Sequence, residues 1–313
     1  PACWTTPATR AARRRCAERR LEPMPHMPRG GADGAATRGR HAARAAPEPT
    51  PAPPTGTRKK VKIATWNVNS LKIRLPHVLD WLAEHRPDAL CLQELKQEEK
   101  AFPFAELEAA GYHAVVNGQK TYNGVAILTP AAATDVVRDI PGFADEQKRI
   151  IAATVDGVRV ICGYFPNGQA VGSDKFDYKM RWLAALTEWV GAEMARHPQL
   201  VLTGDFNIAP EARDAHPDWK DEIHVSAPER AAFEALTALG LVDAFRLFEQ
   251  PERAFSWWDY RMMAFRRNFG LRIDHILVSP ALRAACRACS VDKAPRRLER
   301  PSDHAPVVLT LER

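Results

Sequence analysis

Residues 200–207 read Leu-Val-Leu-Thr-Gly-Asp-Phe-Asn. An apolar run stops on a carboxylate and an amide. A buried strand that ends this way has only a solvent-facing cleft in which to put its charge. The same ending recurs along the chain. Val61–Val68 (VKIATWNV) alternates, is rich in β-branched residues and closes on Trp66-Asn67-Val68-Asn69. Asp88–Glu94 is a short apolar strand ending in Gln93-Glu94, and Gly163–Asn167 ends a middle one. Arg272-Ile273-Asp274-His275 opens a strand, and Ser302-Asp303-His304 immediately precedes the last one. Further strands are expected at 112–117, 124–129, 149–155, 158–165, 199–205, 271–279 and 305–311. An amphipathic segment runs from Leu75 to His85, stopped by Arg86-Pro87, and helices are expected at 175–196 and 229–239. Many strands with interspersed helices, and no simple βαβ alternation, predict sheets packed together with helices outside. There is no solenoid repeat and no Gly-rich phosphate loop.

Composition bounds the rest. The 313 residues carry 44 Lys+Arg against 38 Asp+Glu, but residues 1–60 alone hold 11 Arg and 2 Lys against 4 acids. The remainder, with 31 basic and 34 acidic residues, is net −3. Those first 60 residues contain 10 of the 25 prolines and no Ile, Val, Phe or Tyr. Such a stretch buries too little apolar surface to offset its ordering entropy and reads as a disordered basic extension. It is expected to be dispensable for catalysis. A polyanion-binding arm and a targeting segment are the alternatives, the second weakened by the absence of Ser and of an apolar h-region. Residues 61–313 suffice for one large domain or two small ones. No run of about 18 apolar residues appears, so a helical membrane span is not expected. Cys286 and Cys289 have C-x-x-C spacing without a second Cys or His pair, and read as reduced thiols and not a zinc site.

One strand ending on a carboxylate is usually a cap. Five carboxylate or His endings on different strands point to oxygen ligation of a hard divalent cation together with acid–base work by His. Ser302, Asp303 and His304 are the residue types of a hydrolase triad, but sequence neighbours point in different directions, and no G-x-S-x-G elbow exists. The histidines lack H-x-x-x-H or H-E-x-x-H spacing, so zinc is disfavoured. Asn67, Glu94, Asp205, Asn207 and Asp303 suit Mg²⁺ or Mn²⁺ better.

WNVNS, LQELK, GDFNIAP, RIDHILVS and SDHAPV, in this order, resemble the exonuclease III / AP endonuclease family of the DNase I-like endonuclease/exonuclease/phosphatase superfamily. Val116–Lys120, Tyr164–Pro166 and Phe255–Tyr260 running on to Gly270–Asp274 are similar to the DNA-repair branch in particular. The resemblance implies an α/β four-layer sandwich over 61–313: two packed mixed β-sheets flanked by helices. It implies a Mg²⁺-dependent hydrolase, with Mn²⁺ as a substitute, acting as 3′–5′ exonuclease, 3′-phosphatase or AP endonuclease. The implied partner is duplex DNA bearing abasic sites, nicks or blocked 3′ ends, and the implied setting a cytoplasmic monomer working at a bacterial nucleoid. A phosphatase or phosphodiesterase of another branch, acting on small-molecule or lipid phosphates, is the alternative.

By resemblance, Glu94 is the principal metal ligand with Asp303 and Asn67 nearby. Asp205 and Asn207 activate water and contact the phosphate, while His304, oriented by Asp274, meets the developing charge. Tyr164 donates to the phosphate or the leaving oxygen. Asp205, Asn207 and His304 are the ligands of any second ion. Aromatics and arginines interleave over 255–272, which suits a minor-groove wedge including Arg261. His224 stands where abasic-site-cleaving relatives tend to carry a small residue. Beside Trp257 and Leu271 it is expected to fill the lesion pocket and bias the enzyme toward 3′-end processing.

Overall fold

The computed structural model describes residues 59–313. The expectation of disorder for residues 1–60 thus lies outside the described residues, apart from its last two. Lys59 exchanges backbone hydrogen bonds with Arg313, and Lys60 opens the first strand. In chain order the strands are β1 (Lys60–Asn67), β2 (Ala89–Gln93), β3 (His113–Asn117), β4 (Val125–Thr129), β5 (Thr134–Arg138) and β6 (Ile150–Val155). They continue with β7 (Val158–Tyr164), β8 (Leu200–Asp205), β9 (Val242–Asp243), β10 (Asp274–Val278), β11 (Cys286–Val291) and β12 (Val307–Glu312). The helices are α1 (Leu71–His85), α2 (Phe104–Ala109), α3 (Asp174–Arg196), α4 (Ala227–Ala238), α5 (Ala264–Arg267) and α6 (Pro280–Arg283).

Two six-stranded mixed sheets form, in the orders β11-β12-β1-β2-β4-β3 and β5-β6-β7-β8-β10-β9. Alternation along the strands decides which side chains meet. Ile63, Cys91 and Ile127 of the first sheet face Val160, Cys162, Val201 and Ile276 of the second in one inter-sheet core. The opposite faces are covered by helices. Trp66, Leu90 and Leu92 pack under Val78, Trp81 and Leu82 of α1, and Ile161, Leu200 and Leu202 under Trp182, Leu183 and Leu186 of α3. The result is the expected four-layer α/β sandwich. Each fully buried aliphatic side chain in these layers contributes about 1.5–3 kcal/mol.

The departures from the sequence reading have local causes. Helix α1 begins at Leu71, not Leu75, because Asn69 and Ser70 adopt positive φ (44° and 88°) and turn the chain at once into the helix. Strand β5 is an exposed, bulged edge whose two polar starting residues hide its period. Strand β11 carries a register shift between Cys286 and Ala288 that brings Cys286 and Cys289 to the same buried face despite their odd spacing. Both are free thiols, as are Cys91 and Cys162. The strand expected over 271–279 begins only at Asp274, since Leu271 pairs with Ala215 and Trp257 in isolated bridges. Among the described residues, no helix is long and apolar enough to cross a membrane.

Parallel strands β7 and β8 approach closely where Gly163 is registered against Gly204. Gly204 sits at φ +145°, and a Cβ there would lie 1.8 Å from the Gly163 carbonyl oxygen. No rotamer adjustment relieves a clash with backbone. Gly204→Ala should therefore destabilise the fold by about 3 kcal/mol or more, read as a fall in the urea midpoint; a midpoint shift no larger than that of an exposed alanine substitution would refute this account.

Candidate active site

Both sheets contain a parallel pair at their centre, and this decides where the polar strand ends meet. Asn67 is registered beside Gln93 at the ends of β1 and β2, and Tyr164 beside Asp205 at the ends of β7 and β8. Strand β10 runs antiparallel to β8 with Asp274 opposite Asp205, so its beginning reaches the same edge. His304 arrives just before β12, bridged to Trp257. One edge of the sandwich thus collects residues from both sheets.

The Asn67 side chain ties them together. Its Nδ2 donates to Glu94 Oε1 and to Asp205 Oδ2, each at 2.9 Å, while its Oδ1 accepts from the Asn69 backbone N–H. As placed, Asn67 offers the carboxylates a donor and keeps its own oxygen occupied. Glu94, Asp205 and His304 have potential ligand atoms all within 4.8 Å of one another. The two carboxylates at this spacing fit a divalent cation. The site already attracts positive charge: the Lys96 ammonium lies 2.8 Å from Glu94 Oε2 and donates to Asn69 Oδ1 at 2.6 Å. Asp303 borders the cluster, close enough to feel the His304 charge. Its two oxygens accept from Asn69 Nδ2 and Trp257 Nε1, both at 2.9 Å, so it anchors the loops beside the cluster. Ser302 Oγ donates to the Asn67 carbonyl and not to the His304 ring, in keeping with the exclusion of a serine triad.

His304 is buried between two carboxylates. Nδ1 lies 2.9 and 3.1 Å from the Asp274 oxygens, and Nε2 lies 3.7 Å from Asp205 Oδ2. Ser256 Oγ donates to Asp274 Oδ2 at 2.6 Å and fixes that carboxylate in turn. Burial disfavours the imidazolium, but attraction to Asp274 and then Asp205 outweighs it and raises the His304 pKa to about 10. Asp205 is raised as well: burial first, opposed by His304 and aided by Asp274, lifts it to about 7. A carboxylate with that affinity for protons is a competent base near neutral pH. Tyr164 is held well above its usual pKa of 10 by burial and by Glu94 and Asp205, so it keeps its proton and acts as a donor. Asn207, in left-handed conformation at φ 51°, donates from its backbone to Asp205 Oδ1 and from Nδ2 to the Phe165 carbonyl and Asp205.

His224, also at positive φ (74°), lies beside Asn207. Burial and the Lys179 charge lower its pKa to about 4, so the ring is neutral. Nδ1–H donates to the Asn207 carbonyl at 2.8 Å, leaving Nε2 to face Asn167 Nδ2. Leu271 is fully buried in a cluster with Val225, Trp219 and Trp257. Trp219, which sequence reasoning missed, meets Trp257 edge-on at 5.9 Å. Arg261 stands outside the cluster on an exposed turn, paired with Asp259. Lys96, Asn69, Asn167 and Ser256 were not singled out either, although each stands inside a stretch the sequence marks: LQELK, WNVNS, Gly163–Asn167 and Phe255–Tyr260.

The His304 environment makes a prediction independent of turnover. Because its folded pKa is raised, His304 stabilises the fold below the unfolded value near 6.5, and that contribution is lost as pH rises through about 10. In Asp274→Asn the ring loses its main partner. Its imidazole NMR signals in metal-free protein should titrate below those of the wild type, and the alkaline arm of stability should move down with them. Identical titration curves would show that Asp274 does not hold the proton.

Three comparisons locate the chain. Residues 64–304 match the model of the Endonuclease/Exonuclease/phosphatase family. Exodeoxyribonuclease III of Haemophilus influenzae is 37% identical over 263 residues, covering 79% of this chain and 98% of that protein. The structure of the 3′ phosphatase NExo from Neisseria, bound to a product DNA hairpin, is 52% identical with a TM-score of 0.79, covering 80% and 99%. An AP endonuclease from Archaeoglobus fulgidus is 38% identical with a TM-score of 0.77, over 80% and 99%. The order of motifs, the paired sheets and the edge cluster agree with these matches: the chain belongs to the Endonuclease/Exonuclease/phosphatase family.

Proposed function

We propose that the protein is a Mg²⁺-dependent DNA repair phosphoesterase of the exonuclease III type, working on 3′ termini of duplex DNA in preference to abasic sites. The observation that carries this reading is the edge cluster itself: His304 held by Asp274 at 2.9 Å, with Asp205 and Glu94 gathered beside it. In hydrolysis Asp205 takes the proton of the attacking water, the water oxygen bonds to phosphorus, and the bond to the leaving oxygen breaks. Negative charge grows on the phosphoryl oxygens, where His304 donates from Nε2 and Tyr164 from its hydroxyl. Asn207 holds Asp205 in register through its backbone N–H. A divalent cation, held chiefly by Glu94 beside Asp205, would supply Lewis-acid polarisation; the oxygen-rich set favours Mg²⁺, with Mn²⁺ as a substitute.

DNA is the substrate that the surroundings suit. Part of 255–272 is core, since Phe255 and Trp258 are buried with Ala264. Its outer turn instead exposes Met262 and Met263 in left-handed conformation next to Arg261. Apolar tips flanked by arginine suit a wedge against a duplex groove. The experiment is a panel of duplexes carrying a 3′-phosphate, a nick, a recessed 3′ end or an abasic site, with inositol phosphates alongside, with and without EDTA. Turnover of the duplexes, abolished by EDTA, is expected; turnover only of the small phosphates, or turnover without metal, would overturn the assignment. Glu94→Gln should weaken Mg²⁺ about 10–100-fold with the fold intact, and Asp205→Asn should lower kcat about 10²–10⁴-fold while DNA still binds.

Preference for 3′ termini rests on His224, whose ring fills space against Asn167 and Asn207. An extrahelical deoxyribose and a buried imidazole compete for that volume. Glycine accepts the positive φ at this position without strain. His224→Gly should therefore raise abasic-site incision relative to 3′-phosphate removal; an unchanged ratio would make His224 a bystander.

A further inference from the structure

Beneath the site lies an ion pair that the chemistry above does not use. Lys179 of α3 and Glu229 of α4 are both fully buried and bonded to each other. A lysine ammonium has three protons, and each here has a definite acceptor. One goes to Glu229, one to the Asn207 carbonyl at 2.8 Å and one to the Asn167 carbonyl at 3.2 Å. Glu229 is equally engaged. Oε1 also accepts the His224 backbone N–H at 3.0 Å, and Oε2 accepts the Ser226 N–H and hydroxyl at 3.1 and 2.6 Å. The lysine stem is confined as well, since a Cβ on Gly168 would lie 3.0 Å from Lys179 Cδ.

A buried pair is weak evidence for stability, because desolvation of both ions offsets their attraction. What distinguishes this one is where its remaining bonds go. Apart from the Glu229–Ser226 capping box at the start of α4, none stays within a helix. The others go to two loops: the one after β7, at Asn167, and the long connection from β8 to α4, at Asn207 near its start and His224 near its end. Two of the residues so held, Asn207 and His224, have positive φ, a conformation that persists only when surroundings over-determine it. We propose that Lys179 and Glu229 are positioning residues, a clamp that sets Asn207 against Asp205 and His224 against the substrate. This rests on the phosphoesterase reading above.

A control exists on the same helix. Arg159 and Glu193 form a second buried pair, but at the start of β7, the end opposite the site. Comparing Lys179→Met/Glu229→Gln with Arg159→Met/Glu193→Gln separates positioning from packing, since each double exchange leaves no buried charge unpaired; Arg196, which also pairs with Glu193, is exposed to solvent. With Mg²⁺ and a 3′-phosphate duplex, the clamp variant should lose kcat about 100-fold with KM within about threefold of wild type. The control should lose stability while keeping kcat within about threefold. In addition, the His224 Nδ1–H signal in ¹⁵N-resolved spectra should be protected in the wild type and the control, and lost in the clamp variant.

A folded clamp variant with wild-type kcat and a protected His224 signal would overturn the proposal. So would equal kcat losses in both variants. Should the double exchange not fold, Glu229→Asp shortens the strut and keeps both charges; it should show the same kcat loss in milder form, and an unchanged kcat would overturn the proposal. Should the wild type hydrolyse a phosphoester other than DNA, the functional reading falls and the clamp does not, because the same kcat comparison and the His224 signal are then read with that substrate.

Discussion

Everything at the site follows from two parallel strand pairings, one in each sheet. Had β1 and β2, or β7 and β8, been antiparallel neighbours, their polar ends would have fallen on opposite edges. Parallel pairing in register brings Asn67 level with Gln93 and Tyr164 level with Asp205, and face-to-face packing superimposes the two edges. Antiparallel β10 and β12 then complete the set from their N-terminal sides, which is why Asp274 and His304 precede or open their strands while Asp205 closes one. The backbone hydrogen bonds of the sheets therefore do the first part of the positioning, and loops need only finish it.

The finishing uses strained backbone. Asn69, Ser70, Glu94, Lys96, Asn207 and His224 all have positive φ without being glycine. Each such residue costs about 1–3 kcal/mol, and they gather where strands leave the sheets for the cluster. The strain is held by side chain to backbone bonds: Asn67 to Asn69, Asp205 to Asn207, Glu229 to His224. Carboxylates and amides thus serve twice, once toward the reacting phosphate and once toward the chain that carries them. Burial adds the electrostatic half. It pushes Asp205 toward proton uptake and, against its own effect, leaves His304 charged because two carboxylates surround it.

How much of this could be read from the amino acids depended on whether the signal was local. The strand ends at Asp205, Asn67 and Glu94 were legible because a buried apolar run that stops on a polar residue has few places to put it. The sandwich was legible from the number of such runs and the lack of regular βαβ order. The sequence alone could not show that Asp303 and His304, adjacent in the chain, face different partners, Trp257 and Asn69 for one and Asp274 for the other. Nor could it show that Lys179, on the buried face of an amphipathic helix, meets Glu229 fifty residues on. Strand β5 and the Cys286–Cys289 strand escaped because bulges break the alternation that marks a strand.

One contact just below the site bears on how the two sheets keep their alignment. Gln93, at the end of β2, is fully buried; its amide bonds Thr65 in its own sheet and reaches across to Cys162 Sγ at 3.3 Å in the other. An otherwise apolar interface would let one sheet slide over the other with little change in buried area, since dispersion forces have no direction. The Cys162 thiol, which also donates to the Leu92 carbonyl at 3.5 Å, has both of these partners in the facing sheet and loses both on a slip, so it removes that freedom. Cys162, meeting Gln93, thus acts as an alignment key. The gap between Glu94 of one sheet and Asp205 of the other is kept constant by an uncharged residue that never meets the substrate.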